Sequence, residues 1–196
     1  MNLQRALMAL VGLAIVALVA VGLVQLGDGN GSTPRSDLTV AQMQARLRGS
    51  PAVLESLHDQ AGQVLSGGLP ALRRRLASLR GRPIVINKWA SWCQPCRTEF
   101  GAFQAVSVAR GRQVAFLGID SGDTSRSAAL AFLRSFPVSY PSYYDPSGQV
   151  GLTIAESGFT PVTVFIDPGG GEFIHQGPYP TAAKLERDVK RYALGS

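Results

Sequence analysis

The stretch Trp89 to Cys96, WASWCQPC, holds both cysteines of the chain, three positions apart. Just before it, Ile84, Val85 and Ile86 start an apolar run of the kind found in buried parallel strands. Just after it, Phe100, Phe103 and Val106 recur on one helical face, and Val114 to Ile119, VAFLGI, reads as a second buried strand. A strand, a helix opening at the cysteines and another strand make a β-α-β unit, and the rest of the chain is read outward from it.

Upstream, Leu69, Leu72, Leu76 and Leu79 repeat at helical spacing, Pro70 suits a first turn, and Gly81 then Pro83 end the helix. Arg73, Arg74, Arg75, Arg80 and Arg82 flank that stripe and read as its wet face. The formal charge of +6 is therefore spread over a packed helix, which argues against a nucleic-acid partner. Downstream, Ser125 to Phe136 predicts a helix. Tyr140 to Tyr144 predicts a short strand that Pro141 confines to a sheet edge, and Gln149 to Glu156 a further helix. Asp167-Pro168-Gly169-Gly170-Gly171 separates Val162 to Ile166 from Glu172 to Gln176 and predicts an antiparallel hairpin. Ala182, Leu185, Val189 and Tyr192 line a closing helix, with Glu186 four residues ahead of Lys190 for modest support. The inventory defines an α/β domain: a mixed central sheet flanked by helices, with an inserted helical segment.

The front of the chain differs. Ala6 to Val24 runs 19 residues without a charge, about the length that crosses a bilayer's hydrocarbon core. It reads as an N-terminal transmembrane helix. A cleaved signal peptide with a site at Ala20-Val21-Gly22 is the competing reading, although the apolar stretch is long for one. Arg5 precedes the span, so the positive-inside tendency leaves the rest outside the cytoplasm. Gly27 to Asp37, GDGNGSTPRSD, has a tether's composition. Leu38 to Arg48 is a short helix or more tether, and Ser50-Pro51 reads as cap and first turn of a segment reaching about Leu65. The division expected is 1–26 membrane anchor or uncleaved signal, 27–50 linker, and 51–196 the α/β domain with a helical extension at its front.

Three readings compete for the cysteine pair. A structural staple is weak, because so short a loop removes little entropy from the unfolded chain. A zinc site needs two more ligands, and His58 and His175 stand at separations that match no common finger or ribbon. A redox couple fits best. At the mouth of a helix, unpaired N–H groups and the dipole stabilise a thiolate on Cys93, while Cys96, a turn deeper, is placed to resolve a mixed disulfide. Trp92 and Pro95 would shape the loop and limit approach.

VINKWASWCQPCRTEF together with FTPVTVFID closely resembles thioredoxin-like proteins, specifically the membrane-anchored TlpA-like and ResA-like thiol-disulfide oxidoreductases that work outside the bacterial cytoplasm. The resemblance covers roughly Leu69 to the C-terminus, leaving 27–65 outside it. It implies a thioredoxin fold, Cys93 as attacking and Cys96 as resolving thiol, and a cis Pro161 that forms, with Thr160, a partner-binding edge beside the sulfurs. It also implies protein thiols and disulfides as substrates, no metal or organic cofactor, and recharging by a membrane electron donor. Work as a reductant follows from the same analogy, including on apocytochrome c before haem attachment.

Three positions test the resemblance. Glu99 matches an acid placed near the active site of ResA-like proteins, where it would accept a proton or tune Cys96; periodicity alone equally allows a solvated helix residue. Asn87 stands where cytoplasmic thioredoxins bury an aspartate. Gly101 replaces a helix-kinking proline, so a softer bend or none is expected. Lys88, a cation in a buried strand, is expected to reach solvent along its stem rather than to pair with an acid such as Glu99. Trp89, Tyr140, Tyr143 and Tyr144 read as packing residues, and neither histidine is given a role. Two rival readings fit the residues less well. A peroxiredoxin-like peroxidase needs Thr or Ser three residues before the reactive cysteine, where this chain has Ala90. A Sco-type copper chaperone needs three residues between its cysteines, where this chain has two, and would use His175 as a further ligand.

Overall fold

The computed structural model describes residues 38–196. The expected membrane span and the whole of the stretch read as tether, Gly27 to Asp37, lie outside the described residues. Among the described residues no helix is long and apolar enough to cross a membrane.

In chain order the elements are α1 (Val40–Leu47), α2 (Ala52–His58), β1 (Val64–Leu65), α3 (Gly68–Ser78), β2 (Ile84–Trp89), α4 (Gln94–Arg110) and β3 (Ala115–Ser121). There follow α5 (Arg126–Ser135), β4 (Ser142–Asp145), α6 (Gln149–Ala155), β5 (Val162–Ile166), β6 (Glu172–Gln176) and α7 (Ala182–Asp188), which continues into a π turn, Val189–Ala193. The strands form one mixed sheet in the order β1-β4-β3-β2-β5-β6. β1, β4, β3 and β2 run parallel, β5 pairs antiparallel with β2, and β6 antiparallel with β5. This is a thioredoxin-like α/β arrangement, with the β5–β6 hairpin where the Asp-Pro-Gly-Gly-Gly turn places it.

β2 is central and buried at all six positions, which is why its sequence shows no alternation. Its side chains divide between two cores. Val85 and Trp89 face a layer rich in aromatics from α4 and α5, including Phe100, Phe103 and Phe132, with Leu185 of α7. Ile84 and Ile86 face Leu54, Leu57 and Leu72 of α2 and α3, with Val150 and Ala155 of α6. Trp89 anchors the first core, stacked on Phe132 with centroids 4.8 Å apart and edge-on to Phe100 at 5.3 Å. Its indole Nε1 donates to Ser142 Oγ at 3.0 Å, so no polar atom of the ring is stranded.

Several local expectations need correction. The strand at Tyr140 to Tyr144 is not an edge: β4 lies between β3 and the two-residue β1, which supplies the edge instead. Pro141 is tolerated because it precedes β4, and its carbonyl accepts from Gly118 N–H at 2.9 Å. Ser50 closes α1 by donating its hydroxyl to the Leu47 carbonyl at 2.6 Å, and α2 ends at His58 rather than near Leu65. Arg75 is not on a wet face. Its guanidinium donates to Tyr143, Ser56 and Gln60, tying α3 to α2 and to the sheet. α4 runs helical for 17 residues, continuing through Gly101.

The end of the stretch read as linker is ordered. Thr39 caps α1 with a reciprocal Gln42 contact, and Met43 and Leu47 are fully buried. Each such side chain contributes about 1.5–3 kcal/mol through burial.

Candidate active site

The chain leaves β2 at Trp89 and turns through Ala90, Ser91 and Trp92 onto α4, with Cys93 as its N-cap. Cys93 Sγ accepts from the Cys96 backbone N–H at 3.2 Å, which satisfies one of the helix's orphan donors. Pro95 falls in the first turn, where a missing N–H is harmless. Cys93 and Cys96 are joined as a disulfide. Both are buried, Cys93 with 3% of its surface exposed and Cys96 with none, so Cys93 is the outer member of the pair. The helix dipole and the same N–H groups would stabilise charge there once the bond opens.

Residues after β3 hold this turn. Asp123 accepts from the Ser91 N–H at 2.9 Å and from its hydroxyl at 2.8 Å, while Arg97 donates to the Ser91 carbonyl at 2.8 Å. Trp92 is 63% exposed, and its indole nitrogen donates to the Gly122 carbonyl at 3.2 Å. Asp120, in register with Trp89, is fully buried. Burial first, then its neighbours Asp123 and Asp145, pushes its carboxyl up to about 9, so it carries its proton at neutral pH. Sequence reading gave Asp120 and Asp123 no part. An Asp at the end of an apolar strand, followed three positions later by another, was the available signal.

The Thr160–Pro161 peptide is cis. Phe159, Thr160 and Pro161 share a hollow of about 280 Å³ with Pro95, Gln176, Gly177 and Pro178. The structure thus brings Pro95, Thr160 and Pro161 together across one depression; Trp92 is not among its walls. Phe159, 72% exposed, stands on the rim and was also passed over in the sequence.

Glu99 lies one turn beyond Cys96 and is fully buried, which removes the solvated reading. One carboxyl oxygen accepts from the Tyr179 N–H at 3.1 Å, and the other has no hydrogen-bond partner among the described residues. Burial pushes the carboxyl up to about 8, with the Tyr179 bond and nearby Asn87 offsetting part of the effect. Its charge also raises Tyr140, whose hydroxyl is already disfavoured as an anion by burial. A carboxyl whose proton affinity approaches that of a thiol can exchange a proton with Cys96 at little cost.

Lys88 reaches neither solvent nor an acid. It is 4% exposed, and its ammonium donates to the carbonyls of Ser157 at 2.6 Å and Phe159 at 2.9 Å. Burial lowers its proton affinity, partly countered by the charge of Asp145. His175 packs against the Tyr179 ring, centroids 4.3 Å apart, and burial lowers its pKa. His58 is buried under Gly111. Among the described residues, no three His, Cys, Asp or Glu side chains converge as metal ligands.

A disulfide at the mouth of a helix, a cis proline sharing a depression with the loop between the sulfurs, and a mixed sheet beneath define a thioredoxin-like protein with a dithiol site. Residues 71–171 match the sequence profile of the AhpC/TSA family, and the chain belongs to that family. It is 34% identical over 159 residues to the thiol:disulfide interchange protein DsbE of Yersinia pestis, covering 78% of this chain and 73% of that one. It is 29% identical over 99 residues to the thiol-disulfide oxidoreductase ResA of Bacillus subtilis strain 168, covering 50% of this chain and 54% of that one. With that ResA and with the DsbE of Pseudomonas fluorescens biotype C, the match spans about half the relative's length, 54% and 51%. Among solved structures, a DsbF homologue from Corynebacterium diphtheriae superposes with a TM-score of 0.52 at 29% identity, over 59% of this chain and 75% of that one.

Proposed function

We propose that this chain is an extracytoplasmic, membrane-tethered thiol-disulfide oxidoreductase that exchanges disulfides with protein substrates. The observation that carries the reading is the Cys93–Cys96 disulfide, with its outer sulfur at the helix mouth, its inner sulfur buried, and Glu99 one turn deeper. The names of the DsbE and ResA relatives support the same chemistry.

In the reducing direction the Cys93 thiolate attacks one sulfur of a substrate disulfide. A mixed disulfide forms and the other substrate sulfur leaves as a thiolate that takes up a proton. Cys96 then gives its proton to Glu99 in its ionised form, the minority form at neutral pH for a carboxyl pushed up to about 8. It attacks Cys93 Sγ, which closes the Cys93–Cys96 bond and frees the second substrate sulfur as a thiolate that takes up a proton. The substrate gains two electrons and the protein loses two, so a membrane electron donor must reduce the pair again. Thr160 and Pro161 are the edge along which the substrate chain lies, with Trp92 and Pro95 bounding its approach. The substrates include apocytochrome c cysteines before haem attachment.

Trapping tests the roles. The Cys96→Ser variant is expected to accumulate mixed disulfides with partner proteins and Cys93→Ser to accumulate none; the opposite pattern refutes the assignment. The potential of the pair tests direction. A value near that of thioredoxin, about −270 mV, marks a reductant, and one near about −120 mV marks an oxidant.

A further inference from the structure

Lys88 sits on the strand that ends at the active-site turn, yet its side chain serves another segment. Its backbone pairs with Val162, the residue after the cis proline, and its ammonium turns back to the carbonyls of Ser157 and Phe159. Its stem passes under Gly151, where a Cβ would lie 2.8 Å from Lys88 Cε, so glycine in α6 makes room for it. The turn is closed from its own side as well: Ser157 Oγ accepts from the Phe159 N–H at 3.1 Å. With two carbonyls drawn inward onto one cation, the Phe159 ring projects outward, and Phe159 and Thr160 form part of the depression that also contains Pro95.

An apolar side chain at position 88 would avoid desolvating a charge but would strand the Ser157 and Phe159 carbonyls that the ammonium now satisfies, so the ammonium contributes to the stability of this turn as well as to its shape. What it supplies is a fixed geometry, three donors on a flexible stem gathering backbone carbonyls that have no strand partner.

We propose that Lys88 is a positioning residue. It sets the position of Phe159 and Thr160 in the depression they share with Pro95, which lies between the two cysteines, and so governs how a protein chain, as distinct from a small thiol reagent, docks beside Cys93. This rests on the oxidoreductase reading given above.

The experiment compares full-length wild type and Lys88→Met in detergent micelles, with insulin as the protein disulfide and dithionitrobenzoate as the small one. Methionine keeps the stem and removes the donors. The expected result is a KM for insulin raised roughly tenfold, the effect of about 1.4 kcal/mol, with the dithionitrobenzoate rate held within about twofold. Amide exchange is expected to quicken across 156–160 and not in β2 or β5. An unchanged KM for insulin, or both rates falling together alongside a lower Tm, overturns the proposal. A wild type that leaves insulin disulfides intact refutes the oxidoreductase reading itself, and the exchange comparison then decides separately whether Lys88 holds the turn. Should the variant not fold, the wild type still gives an answer by NMR. A protected Lys88 ammonium with scalar coupling to the Ser157 or Phe159 carbonyl carbon supports the proposal, and its absence overturns it.

Discussion

Replacing Glu99 by glutamine keeps the size and the hydrogen bond from Tyr179 N–H, and removes only the ability to ionise. In the folded protein burial pushes the carboxyl up to about 8 against an ordinary 4.5. Below the ordinary value the group is protonated whether the chain is folded or not, so whatever stability it supplies is fully present. As pH rises the unfolded chain ionises first and is favoured, and the contribution is lost progressively until the folded value is passed. At about 1.4 kcal/mol for each tenfold change in proton affinity, the interval amounts to on the order of 4 to 5 kcal/mol. The variant does not lose it. Urea unfolding of both proteins with the disulfide intact, from pH 4 to pH 9, is the assay. Asp120 shifts in the same direction but is present in both, so it cancels in the difference. Glu99→Gln is expected to gain on wild type steadily from about pH 5 to pH 8 and then to hold its lead. A difference that stays flat across that range refutes the reasoning, because the carboxyl would then be ionising as freely folded as unfolded.

Other outcomes are expected from single contacts. Gly118→Ala places a Cβ 2.1 Å from Ser142 Oγ and 3.0 Å from Trp89 Nε1, so it is expected to break their hydrogen bond and cost about 1–3 kcal/mol in chemical denaturation. Leu47→Ala is expected to cost about 2–5 kcal/mol by leaving a cavity, which would place α1 in the folding unit rather than in the linker; a loss under about 0.5 kcal/mol contradicts that. Arg110→Ala removes the ion pair from α4 to Glu186 of α7. As the pair is partly exposed, a loss of no more than about 1 kcal/mol that shrinks in high salt is expected by thermal melting.

The sequence is legible where side chains near one another in the chain do the work. The strand before WASWCQPC, the helix opening at Cys93 and the β5–β6 hairpin all follow from runs, periods and turn residues within about a dozen positions. β1 escapes that reading because two residues carry no period, and without β1 the pattern makes β4 an edge. Arg75 looked like its exposed neighbours because its partner Tyr143 is 68 residues away. Asp123 and Lys88 fail for the same reason, as their contacts are set by where loops meet after folding. The cis peptide at Pro161 was reached through resemblance, since an X-Pro pair alone leaves both isomers open.

Three loops meet around the disulfide, and each is fixed by a charged or ionisable side chain from another element. Asp123 grips Ser91 before the cysteines, Lys88 gathers the turn before Pro161, and Glu99 accepts from the backbone of Tyr179. The apolar sheet positions the elements to the accuracy of packed side chains, while these polar contacts fix the loop backbones whose own groups have no ladder to join. Such contacts desolvate ionisable groups, so they weigh on stability, and Glu99 and Asp120 make that load largest at high pH. The same burial that burdens the fold brings the Glu99 proton affinity close to that of a thiol. Relieving the burden by Glu99→Gln is therefore expected to slow resolution by Cys96, and a variant both more stable at pH 8 and undiminished in that step would separate the two effects.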